Sequence, residues 1–213
     1  KKRPFIEMAG RKGLGVKADD FINMLDEKAL AEVEKRHPDS SKDEKHKIAH
    51  IIAVGALRYF LLKFSRNTLI VFDFKEALSF EGETGCFCQY SAVRANSIFR
   101  KLEEGGLEKA VETISQNQEN LSEVIEDEVW ALITLASRLE ETIAQSVQAA
   151  EPAIVAKYTF NLAKAFNLFY HHHKILSEEN ELKRSVLIAT ADITRRTLTS
   201  ALNVLGIEVP ERM

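Results

Sequence analysis

The chain has 213 residues, of which 45% are hydrophobic and 29% are charged, and its formal net charge is −3. This composition is typical of one large or two small globular domains with enough length to bury a core. No apolar run approaches the roughly 18–20 residues of a membrane helix, and the first residues lack the pattern of a signal peptide. We therefore expect no membrane partner. Because residue 1 is lysine and not methionine, we expect a fragment or a processed chain.

The first residues, KKRPFIEMAGRKGLGVK, combine six basic residues with three glycines and predict a mobile basic loop over 1–17. Apolar periodicity predicts two helices next, at about 19–37 and 43–64. The run Thr68-Leu69-Ile70-Val71-Phe72 is apolar and rich in β-branched residues, which predicts one short strand. A short helix is expected over 74–79.

The rest of the chain is organised around one stretch, residues 77–101, with the sequence ALSFEGETGCFCQYSAVRANSIFRK. Its glycines and polar residues at 81–85 have the composition of a hinge, because glycine adopts backbone angles that other residues avoid. Thr84 is expected to cap the helix that follows. Tyr90 and Arg94 lie one turn apart on that helix, so that a planar phenol stands beside a permanent cation.

Four further helices are predicted beyond the hinge helix, at 107–115, at 120–149, from Pro152 onward and at 181–205, where Gly206 ends the last. Trp130 lies off the apolar stripe of the long 120–149 helix, and we interpret it as a packing residue rather than a base-stacking platform. The predicted fold is mainly α: a helical bundle preceded by a small α-helical segment with one short strand.

Charge is distributed unevenly along this order of elements. Residues 103–151 carry twelve acidic and two basic residues, whereas residues 152–213 carry eight basic and six acidic ones. A partner with phosphates is therefore expected on the flanking parts of the chain and not on its acidic middle.

Residues with metal-binding chemistry are too few to predict a metal site. Cys86 and Cys88 supply two of the four ligands of a structural zinc, and the sequence has no second pair. His46 and His50 are four residues apart, but no third ligand accompanies them. The run of histidines at 171–173 is interpreted as a solvated helix end. We predict no metal.

The motif Leu78-Ser79-Phe80-Glu81-Gly82-x-Thr84-Gly85, followed by Gln89-Tyr90 and Arg94, resembles the hinge of arginyl-tRNA synthetases. In that family the hinge joins a class I catalytic body to a helical anticodon-binding domain of the DALR type. Three other places are also similar to the family. They are the loop Met8-Ala9-Gly10-Arg11-Lys12-Gly13, which resembles the second class I signature loop, the run from Tyr158 to Tyr170, and the ending Pro210-Glu211-Arg212-Met213.

The resemblance implies the C-terminal part of an arginine–tRNA ligase, with the end of a catalytic domain at 1–80 and a DALR-type anticodon-binding domain at 81–213. The complete enzyme would use ATP with Mg²⁺ to activate arginine and would transfer it to tRNA(Arg), as a cytoplasmic monomer. The sequence has no His-x-Gly-His motif, so we expect this fragment alone to be inactive and to hold no cofactor stably.

Candidate site residues follow from the resemblance and from side-chain chemistry. Arg11 and Lys12 are expected to contact ATP phosphates from the signature loop. Single-stranded bases are read by stacking and by hydrogen bonds to their edges, while cations reach phosphates. The predicted tRNA-binding residues are Tyr90, Arg94, Asn167, Tyr170, Arg195, Arg212 and Met213.

Two alternatives remain open at this point. One is a stand-alone helical RNA-binding module. The other is a helical protein-interaction domain whose acidic helix at 120–149 is the working surface. RNA binding that weakens steeply with salt would exclude the protein-only alternative.

In the complete enzyme, replacing Lys12 with alanine should lower the turnover number more than it weakens tRNA binding, because a phosphate contact acts on charge that develops in the transition state. The expected loss is about a hundredfold. Steady-state aminoacylation together with a tRNA-binding titration measures both quantities. An unchanged activation rate would contradict the assignment of this loop.

Overall fold

The computed structural model describes residue 15 and residues 17–213, and each regular element in that part of the chain is helical. The fold class, mainly α, is confirmed. A 3-10 turn, Gln118–Asn120, precedes α6. The helices are α1 (Ala18–Arg36), α2 (Lys42–Leu62), α3 (Phe74–Ala77), α4 (Gly85–Lys101), α5 (Gly106–Gln116), α6 (Leu121–Val124), α7 (Asp127–Ala136), α8 (Leu139–Ala149), α9 (Ala153–His172) and α10 (Glu181–Val204).

The short strand predicted at residues 68–72 is wrong. This segment has no regular structure, and the side chains of Leu69 and Val71 are 79% and 49% exposed. A strand requires a neighbour for its backbone hydrogen bonds, and no strand exists elsewhere among the described residues. Only Phe72 turns inward, where its ring centroid lies 4.6 Å from that of Phe21 and 4.5 Å from that of Phe60.

The long helix predicted at 120–149 is also wrong, since the structure breaks it into α6, α7 and α8. At the first break Ile125 and Glu126 adopt extended angles, and the Ile125 side chain packs against the core. At the second break the hydroxyl of Tyr158 donates to the carbonyl oxygens of Leu135 and Ala136, at 3.1 Å each. A tertiary contact therefore takes up the carbonyl groups that end α7.

Local sequence signals do determine the hinge. The carboxylate of Asp73 accepts from the backbone N–H of Lys75 and of Glu76, which begins α3. Thr84 caps α4 as predicted: its Oγ1 accepts from the Phe87 N–H at 3.1 Å and donates to the Ser79 carbonyl at 2.6 Å. The start of α4 is thereby tied to the segment before it.

The helices enclose two apolar cores. The larger core is built mainly from α4, α7, α9 and α10. The smaller core lies between α1 and α2 and also contains Cys86, with Phe80 and Met213 packed against it.

The domain boundary predicted near residue 80 stays a prediction. Within the described part of the chain, no helix is long and apolar enough to cross a membrane.

Two glycines allow α2 and α4 to cross at very short distance. A Cβ on Gly85 would stand 2.5 Å from the carbonyl oxygen of Gly55 and 2.9 Å from the Cβ of Tyr59. A Cβ on Gly55 would in turn stand within 2.7 Å of the side-chain amide of Gln89. Both contacts are shorter than any relaxed carbon contact, so only glycine permits this packing.

The crossing predicts that Gly85→Ala destabilises the protein by about 1–3 kcal/mol, because the added methyl group overpacks a contact with rigid backbone. Urea denaturation followed by circular dichroism measures the change in the free energy of unfolding. Gly15→Ala is the control, since no described residue lies within 4 Å of a Cβ added at that position. Equal stability of the two variants would contradict the packing described here.

Candidate nucleic-acid interface

Four of the predicted site residues meet where α4 packs against α9. The guanidinium carbon of Arg94 lies 4.8 Å from the ring centroid of Tyr90 and 5.1 Å from that of Tyr170. One amino group of Arg94 donates to the Oδ1 of Asn167, and another donates to the Tyr90 hydroxyl at 3.3 Å. We call Tyr90, Arg94, Asn167 and Tyr170 the four-residue cluster.

Hydrogen bonds fix the geometry of this cluster from α9. The side-chain amide of Asn167 donates to the Ser91 hydroxyl at 2.6 Å and to the Ala163 carbonyl at 3.0 Å. Its remaining acceptor therefore faces Arg94, which is held between two aromatic rings. Tyr170 is 38% exposed, so part of its ring is open to stacking. Such a surface offers a base both an aromatic face and a fixed cation.

Two residues that the sequence analysis missed extend the cluster. The Phe80 ring packs edge-to-face on Tyr90 with 6.0 Å between centroids, and the guanidinium carbon of Arg36 lies 4.0 Å from the Phe80 centroid. A chain of cation–aromatic and aromatic–aromatic contacts thus runs from α1 to α9. Phe80 was inside the hinge motif and could have been found there, whereas no local signal links Arg36 to the hinge.

The end of the chain contributes the next part of this surface. Gly206 ends α10 with a positive φ of 68°, and the Ile207 N–H donates to the Leu202 carbonyl at 2.9 Å, which closes the helix as predicted. We call residues 205–213 the tail. They leave α10 and run along α2 and α4.

Side chains of α2 and α4 bind the tail through its backbone. Arg58 donates to the Leu205 carbonyl at 2.9 Å, and Gln89 donates to the Glu208 carbonyl at 2.8 Å. Arg100 donates to the Glu211 carbonyl at 3.0 Å. These contacts are made to backbone atoms of the tail, and the buried side chains of Leu205 and Ile207 hold its first part in the larger core.

The last two residues reach the beginning of α2. The guanidinium of Arg212 pairs with the carboxylate of Glu44, and Met213 lines a small apolar groove together with Phe80 and Arg36. Phe80 is therefore the residue that the cluster and the chain end share: its ring packs on Tyr90, and it lines the groove together with Met213. A single patch formed by the hinge helix and the chain end stays a prediction.

His37 lines the same groove, and its Nε2 is buried without a hydrogen-bond partner among the described residues. Burial lowers the pKa of His37, and the neighbouring cations Arg212 and Arg36 lower it further. A lowered pKa keeps the imidazole neutral at neutral pH, so the groove beneath Met213 gains no third positive charge.

Arg195 lies apart from the four-residue cluster. Its guanidinium binds Asp192 at 2.6 Å and covers the ring of Phe99, 4.5 Å from the centroid. Phe99 is nine residues beyond Tyr90, which places it about half a turn around α4. Asp192 also accepts from Arg196 at 2.8 Å. A tRNA contact by Arg195 stays a prediction and would belong to another face of the bundle.

The other residues with reactive or ligating chemistry do not form a second site. Cys86 lies in the smaller core and Cys88 in the larger one, and burial raises the pKa of the Cys86 thiol to about 12. Within the described residues no group of three ligating side chains is suited to a metal ion. Arg11 and Lys12 lie outside the described residues, so their predicted contact with ATP has no geometry here.

The distribution of charge distinguishes the two helices that form the cluster. Among the described helices, α4 and α9 are the two that contain no aspartate or glutamate, whereas the chain as a whole has 32 acidic residues. Together they carry the basic residues Arg94, Arg100, Lys101, Lys157 and Lys164. The seam between them is therefore free of fixed negative charge on either helix, as an anionic ligand requires.

Fold and surface together define an all-helical domain with a basic, aromatic face suited to a single-stranded nucleic acid. The chain belongs to the DALR anticodon-binding domain family, whose model matches residues 88–213. This match confirms the resemblance seen in the hinge motif.

Known proteins similar to this chain agree with that membership. The chain is 38% identical over 206 residues to an arginine–tRNA ligase of Methanococcoides burtonii and 34% identical over 209 residues to one of Pyrococcus furiosus. These matches cover 97% of this chain but only 35% and 33% of the relatives. The structure of Thermus thermophilus arginyl-tRNA synthetase superposes with a TM-score of 0.81 at 29% identity, over 97% of this chain and 33% of that one.

The contacts of the tail predict the effect of replacing Gln89 with leucine. The buried Gln89 amide donates to the carbonyl groups of Ile51 and Glu208, so Gln89→Leu should destabilise the protein by about 1–3 kcal/mol. It should also release the tail, which a time course of carboxypeptidase digestion followed by mass spectrometry would show. Arg100→Ala, which removes a single exposed bond to the tail, should digest more slowly than Gln89→Leu. Equal digestion of Gln89→Leu and the unmodified chain would contradict the anchoring role.

Proposed function

We propose that this chain is the C-terminal, tRNA-reading part of an arginine–tRNA ligase, which activates arginine with ATP and transfers it to tRNA(Arg). The named relatives are arginine–tRNA ligases, and the chain spans about a third of their length. The activity of the complete enzyme, its use of ATP with Mg²⁺ and its substrates therefore belong to the proposal. A cytoplasmic location and a monomeric state, implied by the resemblance, are part of it as well.

One observation carries the proposal. Contacts between aromatic rings and arginines run without a gap from Arg36 through Phe80 to the four-residue cluster, and Met213 lines the groove beside Phe80. Anticodon bases are unpaired and can leave the stack, so a protein reads them by stacking and by hydrogen bonds to their edges. Tyr90 and Tyr170 would supply the faces, Asn167 and Arg94 the hydrogen bonds, and Met213 an apolar contact at the end of the surface.

On the same surface, different residues would bind the phosphates and read the bases. Phosphate contacts position a nucleic acid, whereas contacts with bases carry the sequence information. Arg212 is half exposed and paired with Glu44, which suits a phosphate contact made at the rim. Met213 and Tyr90 are apolar or aromatic and suit contact with bases. Loss of a base contact should therefore change discrimination between anticodons, and loss of a rim cation should not.

Tyr90→Ala tests the reading surface. Base–aromatic stacking is worth roughly 1–3 kcal/mol per base, so the variant should bind a tRNA(Arg) transcript about ten- to a hundredfold more weakly. Tyr90→Phe is the matched control, because it keeps the ring and loses only the long bond from Arg94. Fluorescence titration at fixed salt measures both dissociation constants. Equal binding by Tyr90→Ala and Tyr90→Phe would contradict stacking on this ring.

Deleting Arg212 and Met213 tests the specificity of the same surface. The loss of affinity should be larger for tRNA(Arg) than for the same transcript with an exchanged anticodon, because base contacts specify the anticodon. Equal losses of affinity for the two transcripts would mean that the chain end contacts only the RNA backbone. Failure of the unmodified chain to prefer the tRNA(Arg) transcript would refute the proposed function as a whole.

A further inference from the structure

The exposed face of α9 carries a row of residues that the four-residue cluster does not use. Lys157, Asn161, Lys164, Leu168 and His171 recur at spacings of three and four residues and are all exposed. Such spacing places them on one side of the helix, over a length of about 21 Å. No acidic residue interrupts the row, since α9 contains none.

The row lies beside a second pair of aromatic rings in the seam between α4 and α9. The centroids of Phe87 and Phe160 are 5.4 Å apart, and the Lys157 ammonium lies 5.6 Å from the Phe160 centroid. Both rings are partly exposed. Phe160 precedes Asn167 by seven residues, so this pair lies about 10 Å from the four-residue cluster along α9. The seam thus repeats the combination of aromatic ring and cation closer to the hinge.

The two lysines of the row differ in their present partners. The side chain of Lys164 makes no ion pair or hydrogen bond with any described residue and is exposed. Lys157 is 58% exposed and pairs with Glu83 of the hinge at 3.1 Å. An exposed pair of this kind contributes little stability and exchanges readily for another anion. Both ammonium groups are consequently available to a phosphate.

From these placements we propose that a bound RNA strand continues from the four-residue cluster along the α4–α9 seam towards the hinge, with Lys164 and Lys157 contacting successive parts of its phosphate backbone. The proposal rests on the proposed function, because the cluster sets where the strand begins. Lysine suits this role as a flexible point charge that follows a phosphate without reading sequence. The strand would pass over Phe87 and Phe160, whose rings accept any base.

The dependence of binding on salt tests the proposal directly. Each phosphate contact contributes about 0.7 to the slope of log K against log salt for single strands and about 0.9 for duplexes. Lys164→Ala should therefore lower the slope by about 0.7–0.9 with a tRNA(Arg) transcript, and by the same amount with the anticodon-exchanged transcript. Lys109→Ala is the matched control, since Lys109 is an exposed lysine on α5 that pairs with Glu181. An unchanged slope for Lys164→Ala would overturn the proposal.

Glu83→Gln provides an independent test, because it should strengthen RNA binding whereas Lys164→Ala should weaken it. The substitution removes a carboxylate beside the row and frees Lys157, so affinity for both transcripts should rise roughly two- to fivefold. No gain in affinity would overturn the role of Lys157.

The outcomes separate this proposal from the proposed function. One outcome is loss of tRNA binding in Tyr90→Ala together with an unchanged salt slope in Lys164→Ala. This outcome would contradict the path along the α4–α9 seam and would support the reading surface. A smaller slope in Lys164→Ala for poly-L-glutamate but not for RNA would assign the row to an acidic protein partner and overturn the proposal. Absence of tRNA binding by the unmodified chain would overturn both.

Discussion

The close crossing of α2 and α4 is the contact on which the remaining structure depends. Gly55 and Gly85 bring the two helix backbones together, and this distance lets Gln89 reach from α4 to the Ile51 carbonyl of α2. The same amide also binds the Glu208 carbonyl. One buried side chain of α4 therefore binds both α2 and the tail, and a larger separation of the helices would break its bond to the Ile51 carbonyl.

This crossing also links the two apolar cores. Cys86 and Cys88 are two residues apart on α4, yet one packs in the smaller core and the other in the larger. Tyr59 of α2 extends the connection, since its ring belongs to the larger core and its hydroxyl donates to the Ala156 carbonyl at 2.9 Å. The surface from Arg36 to Tyr170 spans both cores. The relative positions of its residues therefore depend on the contact between the two cores.

Local chemistry in the sequence predicted the hinge well. Asp73 and Thr84 cap helices by binding backbone N–H groups within three residues, and Gly206 ends α10 by its own backbone angle. The helices of the bundle were predicted from periodicity for the same reason, since spacing along one element encodes which face is buried. Tyr90 and Arg94 were paired by a helical turn, which is also a local relation.

The errors arose where the outcome depends on distant parts of the chain. The composition of residues 68–72 favours a strand, but no second strand among the described residues pairs with it. The acidic stretch at 120–149 has helical periodicity throughout, and its second break coincides with the contact from Tyr158 on α9. Arg36 was missed because it reaches Phe80 across 44 positions of sequence. Burial, partners and shape at such sites become visible only when the elements are assembled.

The position of Met213 has a practical consequence for handling the protein. Any residue added after Met213, natural or engineered, must leave from the groove lined by Phe80 and Arg36. An affinity tag attached there would begin inside that groove and would add its own charges beside Arg212. A label attached to residue 15, where no described residue lies within 4 Å of an added Cβ, would leave that groove open.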